Sequence, residues 1–263
     1  MSNMIKVVVV GASGKMGKEI VKAVTNAEGM SIVGVCDISN VGEDIGPICG
    51  IGPLGVNVGS DLETILAETK ADVMIDFTIA GVCEKNLRVA IDNNVHFVTG
   101  TTNMDKEVID ELFEIANKKK LGCLWAANFA IGAVLMMQFA QMAAKHMPAC
   151  EIVELHHDKK LDAPSGTAKV TAELIAKARE CDPNTVDKES RARGLVVDEV
   201  PIHSVRLSGY VASQEVIFGG TGQTLSIRHD SLGRESFMPG IVLAVRKVME
   251  SDHVIIGMDK ILF

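Results

Sequence analysis

The segment that most constrains this chain is its first apolar run, together with the glycine-rich turn into which that run leads. Ile5–Val10 is almost continuously apolar, the pattern of a strand covered on both faces. Gly11-Ala12-Ser13-Gly14-Lys15-Met16-Gly17 comes next, and Met16, Ile20, Ala23, Val24 and Ala27 then recur at helical spacing. A doubly covered strand that turns through glycines into a helix belongs in a parallel sheet, because parallel neighbours need a crossover between them. The alternation continues. Strands are predicted over residues 31–36, 73–77, 96–99 and 122–126, with helices over 62–67, 82–93 and 106–119 and a glycine-rich loop over 42–59.

The pattern changes after Asn128. Residues 131–146 read as a long amphipathic helix, 151–157 as a strand, and a second helix opens near Ser165 and runs to about Arg179. Three extended runs between Ile202 and Asp230 are separated by Ser208-Gly209 and Gly219-Gly220-Thr221-Gly222, which reads as antiparallel punctuation. Residues 180–199 are polar and read as a loop; a helix over 235–250 and a strand over 254–262 close the chain. The expected class is α/β. A Rossmann-type dinucleotide-binding domain (residues 1–126 and 240–263) would carry an inserted α+β domain (127–239) with a mixed open sheet for substrate binding and oligomerisation.

Composition removes several functions. Lys and Arg number 26 against 34 Asp and Glu, a formal net charge of −8 with no basic stretch. Neither nucleic acid nor an anionic membrane surface is an expected partner. The longest apolar run, near residues 130–137, stops at Gln138, well short of the roughly 20 residues of a membrane span. Residues 1–10 show no cleavable signal pattern, and the six cysteines contain no C-x-x-C pair. These features predict a cytoplasmic protein with reduced thiols and no metal site.

The glycines of residues 11–17 form G-x-x-G-x-x-G, a variant of the dinucleotide fingerprint. Glycine at such a turn lets main-chain N–H groups approach a pyrophosphate, and the helix N-terminus adds unpaired donors. Gly11, Ala12, Ser13, Gly14, Lys15 and Met16 are therefore candidate cofactor residues. Asp37 ends the second strand 20 residues after Gly17, where a carboxylate suits an adenosine ribose and repels a 2′-phosphate. Ile38 comes directly after it, so no guanidinium stands beside the acid in sequence. NADH is the expected cofactor, with NADPH the weaker alternative.

A second dense cluster runs from Glu151 to Ala168. It holds His156-His157-Asp158-Lys159-Lys160 and Asp162-Ala163-Pro164-Ser165-Gly166-Thr167 between a strand and a helix start. On an extended backbone His156 and His157 face opposite ways, which argues against a shared metal. Histidine exchanges a proton near neutral pH, and lysine supplies a cationic acid. Ser165 suits a helix N-cap, leaving the amides near Gly166 and Thr167 available to a carboxylate.

The stretch E-L-H-H-D-K-K-L-D-A-P-S-G-T-A resembles the signature of the dihydrodipicolinate reductase family, and the resemblance covers the whole chain. It extends to Gly11–Gly17, to Phe97-Val98-Thr99-Gly100-Thr101-Thr102, to Ala126-Ala127-Asn128-Phe129 and to Glu215–Gly219. The resemblance implies reduction of a cyclic dicarboxylate in lysine and diaminopimelate biosynthesis, with hydride delivered to ring C4. It implies His156 as proton donor and acceptor and Lys160 as proton donor, with His157, Gly166 and Thr167 holding the substrate. Gly11–Met16, Asp37, Gly100, Thr101, Thr102, Ala126, Ala127, Asn128 and Phe129 would hold the cofactor. A homotetramer built through the sheet-rich domain is also implied. Ile38 departs from the family, where arginine often follows the acid. Two other readings are a semialdehyde or homoserine dehydrogenase, the former needing an activated cysteine such as Cys123 or Cys150, and a dinucleotide-sensing protein without turnover. The Asp37-Ile38 pair predicts a higher kcat/KM with NADH than with NADPH when the two are assayed side by side; equal or better turnover with NADPH overturns it.

Overall fold

The computed structural model describes residues 4–180 and 191–263. They form two compact units, Met1–Phe129 with Phe237–Phe263, and Ala130–Ser236.

In chain order the first unit contains β1 (Ile5–Val10), α1 (Lys15–Asn26), β2 (Met30–Cys36), α2 (Ile45–Ile48), β3 (Val58–Gly59) and α3 (Leu62–Thr69). β4 (Val73–Asp76), α4 (Ala80–Asp92), β5 (His96–Thr99), α5 (Lys106–Lys118) and β6 (Cys123–Trp125) complete its first pass. The second unit contributes α6 (Ile131–Ala144), β7 (Ala149–His156), α7 (Gly166–Ala178), β8 (Leu195–Val197), β9 (Val200–Arg206), β10 (Ala212–Gly220) and β11 (Gln223–Ser231). The chain then returns to the first unit with α8 (Met238–Val248), β12 (Val254–Ile256) and α9 (Asp259–Leu262).

The first sheet has seven strands in the order β12-β6-β5-β4-β1-β2-β3, every pair parallel. This is the doubly wound arrangement, in which the chain reverses direction across β1. Val7, Val8 and Val9 are completely buried, which explains why β1 reads as an unbroken apolar run. The second sheet is mixed, in the order β11-β10-β7-β9-β8. Among the described residues no helix is long and apolar enough to cross a membrane.

Five local expectations need correction. Of the three runs after Ile202, β10 and β11 pair antiparallel as their turn suggests, but β9 and β10 do not pair: β7 lies between them, parallel to β9 and antiparallel to β10. The link from β9 to β10 instead passes over the end of β7, where Leu207 N–H donates to His156 O at 3.0 Å. The helix over 131–146 is less amphipathic than expected. Ala133, Val134, Met136, Ala140 and Ala144 are buried, yet Phe139 and Met142 are apolar and exposed. The strand over 254–262 stops at Ile256, because Gly257 takes φ +96° and α9 begins two residues later. The loop over 42–59 contains α2 and β3, nucleated by the Asp44 carboxylate accepting from the amides of Gly46, Leu54 and Gly55. Of the polar stretch 180–199, residues 181–190 lie outside the described residues, and β8 occupies part of the remainder.

Gly17 ties the fold to the turn that precedes α1. A Cβ there would lie 2.1 Å from Gly11 O and 2.6 Å from Ala12 Cα. Backbone cannot yield as a side chain can, and overpacking typically costs about 1–3 kcal/mol. Gly17→Ala is expected to lower the melting temperature by several degrees and to weaken NADH binding, read by calorimetry and by fluorescence titration.

Candidate functional site

The first unit gathers its candidate residues at the carboxyl ends of the strands. Gly11 has φ +72°, a conformation that favours glycine, and a Cβ there would meet Thr78 Cγ2 at 3.0 Å. The turn is pinned by Gly11 N–H to Cys36 O (2.8 Å) and Gly14 N–H to Gly11 O (3.0 Å). Gly14 caps α1 without a side-chain bond, so the first amides of the helix keep the orientation an anion can use. Ala12 is buried, Met16 half-buried and Lys15 exposed. Asp37 accepts the Ser13 amide on Oδ2 and the Ser39 amide on Oδ1, both at 2.9 Å. The acid therefore ties the turn to the end of β2, and its oxygens retain further lone pairs for a ribose. Ile38 beside it is 94% exposed.

Across the switch point, residues 77–80 and 100–103 line a cleft of about 350 Å³. Gly100 is forced by Phe77: a Cβ there would lie 2.2 Å from the ring. Thr101 donates its hydroxyl to Thr78 O (3.4 Å), and its carbonyl accepts Trp125 Nε1–H at 2.8 Å. Thr102 lines the same cleft. Ala126 is buried and donates N–H to Thr99 O at 3.1 Å, and Phe129 packs on Phe77 with centroids 5.2 Å apart. Ala127 is exposed and Asn128 half-buried. Phe77 and Thr78 are not candidates from the sequence. Their signal is Asp76, an acid at the end of an apolar strand, which is fully buried and accepts Thr78 N–H, Thr78 Oγ1–H and Asn86 Nδ2–H at 2.7–2.8 Å. A Cβ at Gly11, Gly17 or Gly100 would collide with Thr78, with the Gly11–Ala12 backbone or with Phe77, so glycine at all three lets these turns pack as closely as a fit to a pyridine dinucleotide requires.

The second unit builds its site where β7 ends. Ile152, Glu154 and His156 alternate onto one face, and Glu154 is fully buried. Its Oε2 accepts His156 Nδ1–H at 2.5 Å and Arg206 Nη1–H at 2.9 Å. Its Oε1 accepts Arg206 Nη2–H at 2.8 Å and the Ser165 amide at 3.2 Å. An ionised carboxylate only accepts, so the proton of neutral His156 sits on Nδ1 and Nε2 is left for proton exchange. His157 is exposed, and the Lys160 amide closes a turn onto its carbonyl at 3.1 Å. Lys160 Nζ pairs with Asp162 Oδ1 at 2.7 Å, and this bond holds the Asp162 carboxyl below its ordinary range. Ser165 caps α7, its Oγ accepting the Ala168 amide at 3.2 Å. Gly166 and Thr167 are thus the first two residues of the helix, whose amides lack intrahelical acceptors. Space around Gly166 is open, and the Thr167 carbonyl is held by Thr171 Oγ1 at 2.7 Å, itself held by Gln214 at 2.8 Å. Sequence reasoning assigns no role to Glu154 or Arg206. A glutamate on the apolar face of a strand is the signal; its partner is more than fifty residues away.

Among the described residues the cysteines do not offer an activated nucleophile. Burial pushes the Cys123 thiol up to about 12 and raises Cys150, which Arg179 only partly offsets. Catalysis by thiol attack needs a thiolate, and that favours proton and hydride chemistry over a semialdehyde dehydrogenase.

Burial alone would raise the Glu154 carboxyl, but hydrogen bonds from His156, Arg206 and Ser204 outweigh it and hold it at about 2 instead of 4.5. The unfolded chain then binds the proton more tightly, so the group stabilises the fold above pH 4.5 and that contribution disappears as pH falls through about 2. Its size is on the order of 3 kcal/mol. Unfolding free energy should therefore fall with pH in this window more steeply for the wild type than for Glu154→Gln, as urea titrations at stepped pH would show.

Comparison with known proteins places this geometry in a family. The chain matches the family models for the dihydrodipicolinate reductase N-terminus over residues 5–129 and C-terminus over residues 132–262. It is 49% identical to a 4-hydroxy-tetrahydrodipicolinate reductase of Desulfitobacterium hafniense over 263 residues, 98% of each chain. The corresponding protein of Moorella thermoacetica is 45% identical over 262 residues, again 98% of each. A solved structure described as dipicolinate-bound dihydrodipicolinate reductase from Paenisporosarcina sp. TG-14 superimposes with TM-score 0.85 at 42% identity, covering 98% of this chain and 99% of that one. An amine dehydrogenase from Mycobacterium smegmatis, at 15% identity and TM-score 0.69, shares the fold; the match covers 97% of this chain and 95% of that one. With the two family models together matching nearly the whole chain and relatives near half identical, the chain belongs to the dihydrodipicolinate reductase family.

Proposed function

We infer that this chain reduces 4-hydroxy-tetrahydrodipicolinate to tetrahydrodipicolinate with a reduced pyridine nucleotide, a step of lysine and diaminopimelate biosynthesis. The observation that carries the reading is the end of β7. There His156, with its proton fixed on Nδ1, and Lys160 share one segment with the unpaired amides that open α7.

Loss of the 4-hydroxyl as water leaves a ring whose imine is conjugated to a C=C, and a nicotinamide bound here would supply the hydride to C4 of that ring. The neighbouring carbon then takes a proton, and His156 and Lys160 are the groups that supply it. The amides of Gly166 and Thr167, with the His157 side chain, hold the carboxylates of the substrate, so local field rather than the net charge of −8 governs binding of a dianion. On the cofactor side, Gly11–Met16 receive the pyrophosphate, Asp37 the ribose, and Gly100–Thr102 with Ala126–Phe129 complete the site. Asp37 beside exposed Ile38 supports NADH as the preferred donor, with NADPH the weaker one. Exposed Phe139 and Met142, with β11 at a sheet edge, support a homotetramer assembled through the second unit. The acidic charge balance supports a cytoplasmic enzyme without nucleic-acid or membrane partners.

The direct experiment follows loss of reduced-nicotinamide absorbance with freshly made substrate. NADH binding without turnover would identify a sensing protein instead. Lys160→Ala and His156→Ala are each expected to lower kcat by about 10²–10⁴-fold while leaving the NADH dissociation constant unchanged. Normal turnover by either variant would remove that residue from the mechanism.

A further inference from the structure

Four N–H groups from three residues converge on the Glu154 carboxylate, beside the Ser204 side chain, and they come from different parts of the second unit: His156 at the end of β7, Arg206 (two N–H groups) at the end of β9, and Ser165 at the start of α7. Arg206 takes both oxygens in a fork, and its Nη2 also reaches Asp162 O at 2.6 Å. The Asp162 side chain in turn holds Lys160. We propose that Glu154 is the positioning residue of the reaction. It fixes His156 with Nε2 as the proton-exchanging nitrogen and, through Ser165, it aims the first amides of α7 at a substrate carboxylate. The proposal rests on the reductase reading of the same site.

The chemistry requires a carboxylate at this position. Neutral imidazole carries its proton on either nitrogen, and an acceptor-only partner at Nδ1 selects one form. An amide can turn its NH₂ to the same nitrogen and so selects neither. A buried anion beside a site for a dianion would also repel its ligand, and the forked Arg206 guanidinium cancels that charge. Because one pair of side chains touches the histidine, the helix start and the lysine loop, displacement of the carboxylate alters proton transfer and substrate binding together. Glu151 provides an internal comparison: it lies on the opposite face of the same strand, bonded to His203 and Arg193.

The test uses ring-¹⁵N-labelled histidine NMR together with steady-state kinetics on the full-length protein. At a pH where His156 is neutral, the wild type is expected to show Nδ1–H as the dominant tautomer, and Glu154→Gln a mixture. In that variant kcat should fall about 100-fold, and KM for the dicarboxylate should rise about tenfold as the Ser165 amide loses its charged acceptor. The NADH dissociation constant should not change. Glu151→Gln should stay within about twofold of wild type. Nε2–H as the major wild-type tautomer overturns the proposal even if Glu154→Gln fails to fold. Near-wild-type kcat in Glu154→Gln, or equal losses in Glu151→Gln, overturns it as well. The tautomer is read without turnover, so an inactive wild type with Nδ1–H on His156 would sink the reductase reading and still support the positioning role.

Discussion

The burial of β1 on both faces is the constraint that generates the first unit. Val7, Val8 and Val9 have no solvent exposure, and each fully buried valine contributes roughly 1.5–3 kcal/mol relative to an exposed one. Covering both faces requires helices on both sides of the sheet, and a parallel sheet with helices on both sides must reverse its winding at one strand. That strand is β1. The reversal leaves a crevice at its carboxyl end, with the Gly11 turn on one side and the Phe77–Thr78 loop on the other. The candidate cofactor site is thus a by-product of how an apolar strand is covered.

The second unit depends on a charge rather than on apolar area. Its core, which includes Ile152, Ile175, Ile202 and Phe218, is modest, and within the sheet lies an ionised glutamate with no solvent contact. Removing one partner of a buried ion pair typically costs about 3–5 kcal/mol, so Glu154 and Arg206 stand or fall together. The same pair fixes where His156, Ser165 and Asp162 can sit, which ties the shape of the site to the integrity of the sheet.

Legibility in the sequence tracks the range of the forces involved. Strand and helix periods are local, so the α/β alternation, the Gly11–Gly17 turn and the Ser165 cap can be read residue by residue. Strand neighbourhood is not local. The Ser208-Gly209 turn looks like a hairpin, yet its strands are separated by β7, because a strand carrying His156 and Glu154 gains partners on both edges only in the middle of the sheet. The Glu154–Arg206 pair is hidden for the same reason, since its register is set by β7–β9 pairing across fifty residues. Phe77 and Thr78 lack a motif of their own; they matter because β4 lies next to β1. The helix α6 reads as amphipathic because neither Phe139 nor Met142 carries any mark of exposure.

The bonds from Asp37 to the Ser13 and Ser39 amides limit how this chain could change its cofactor. The acid that would discriminate against a 2′-phosphate also staples the glycine turn to β2. Replacing it to admit that phosphate would loosen the turn whose amides are proposed to receive the pyrophosphate, so specificity and grip would be coupled at position 37. Position 38, almost fully exposed and outside that staple, is where a cationic side chain could meet a 2′-phosphate without disturbing the turn.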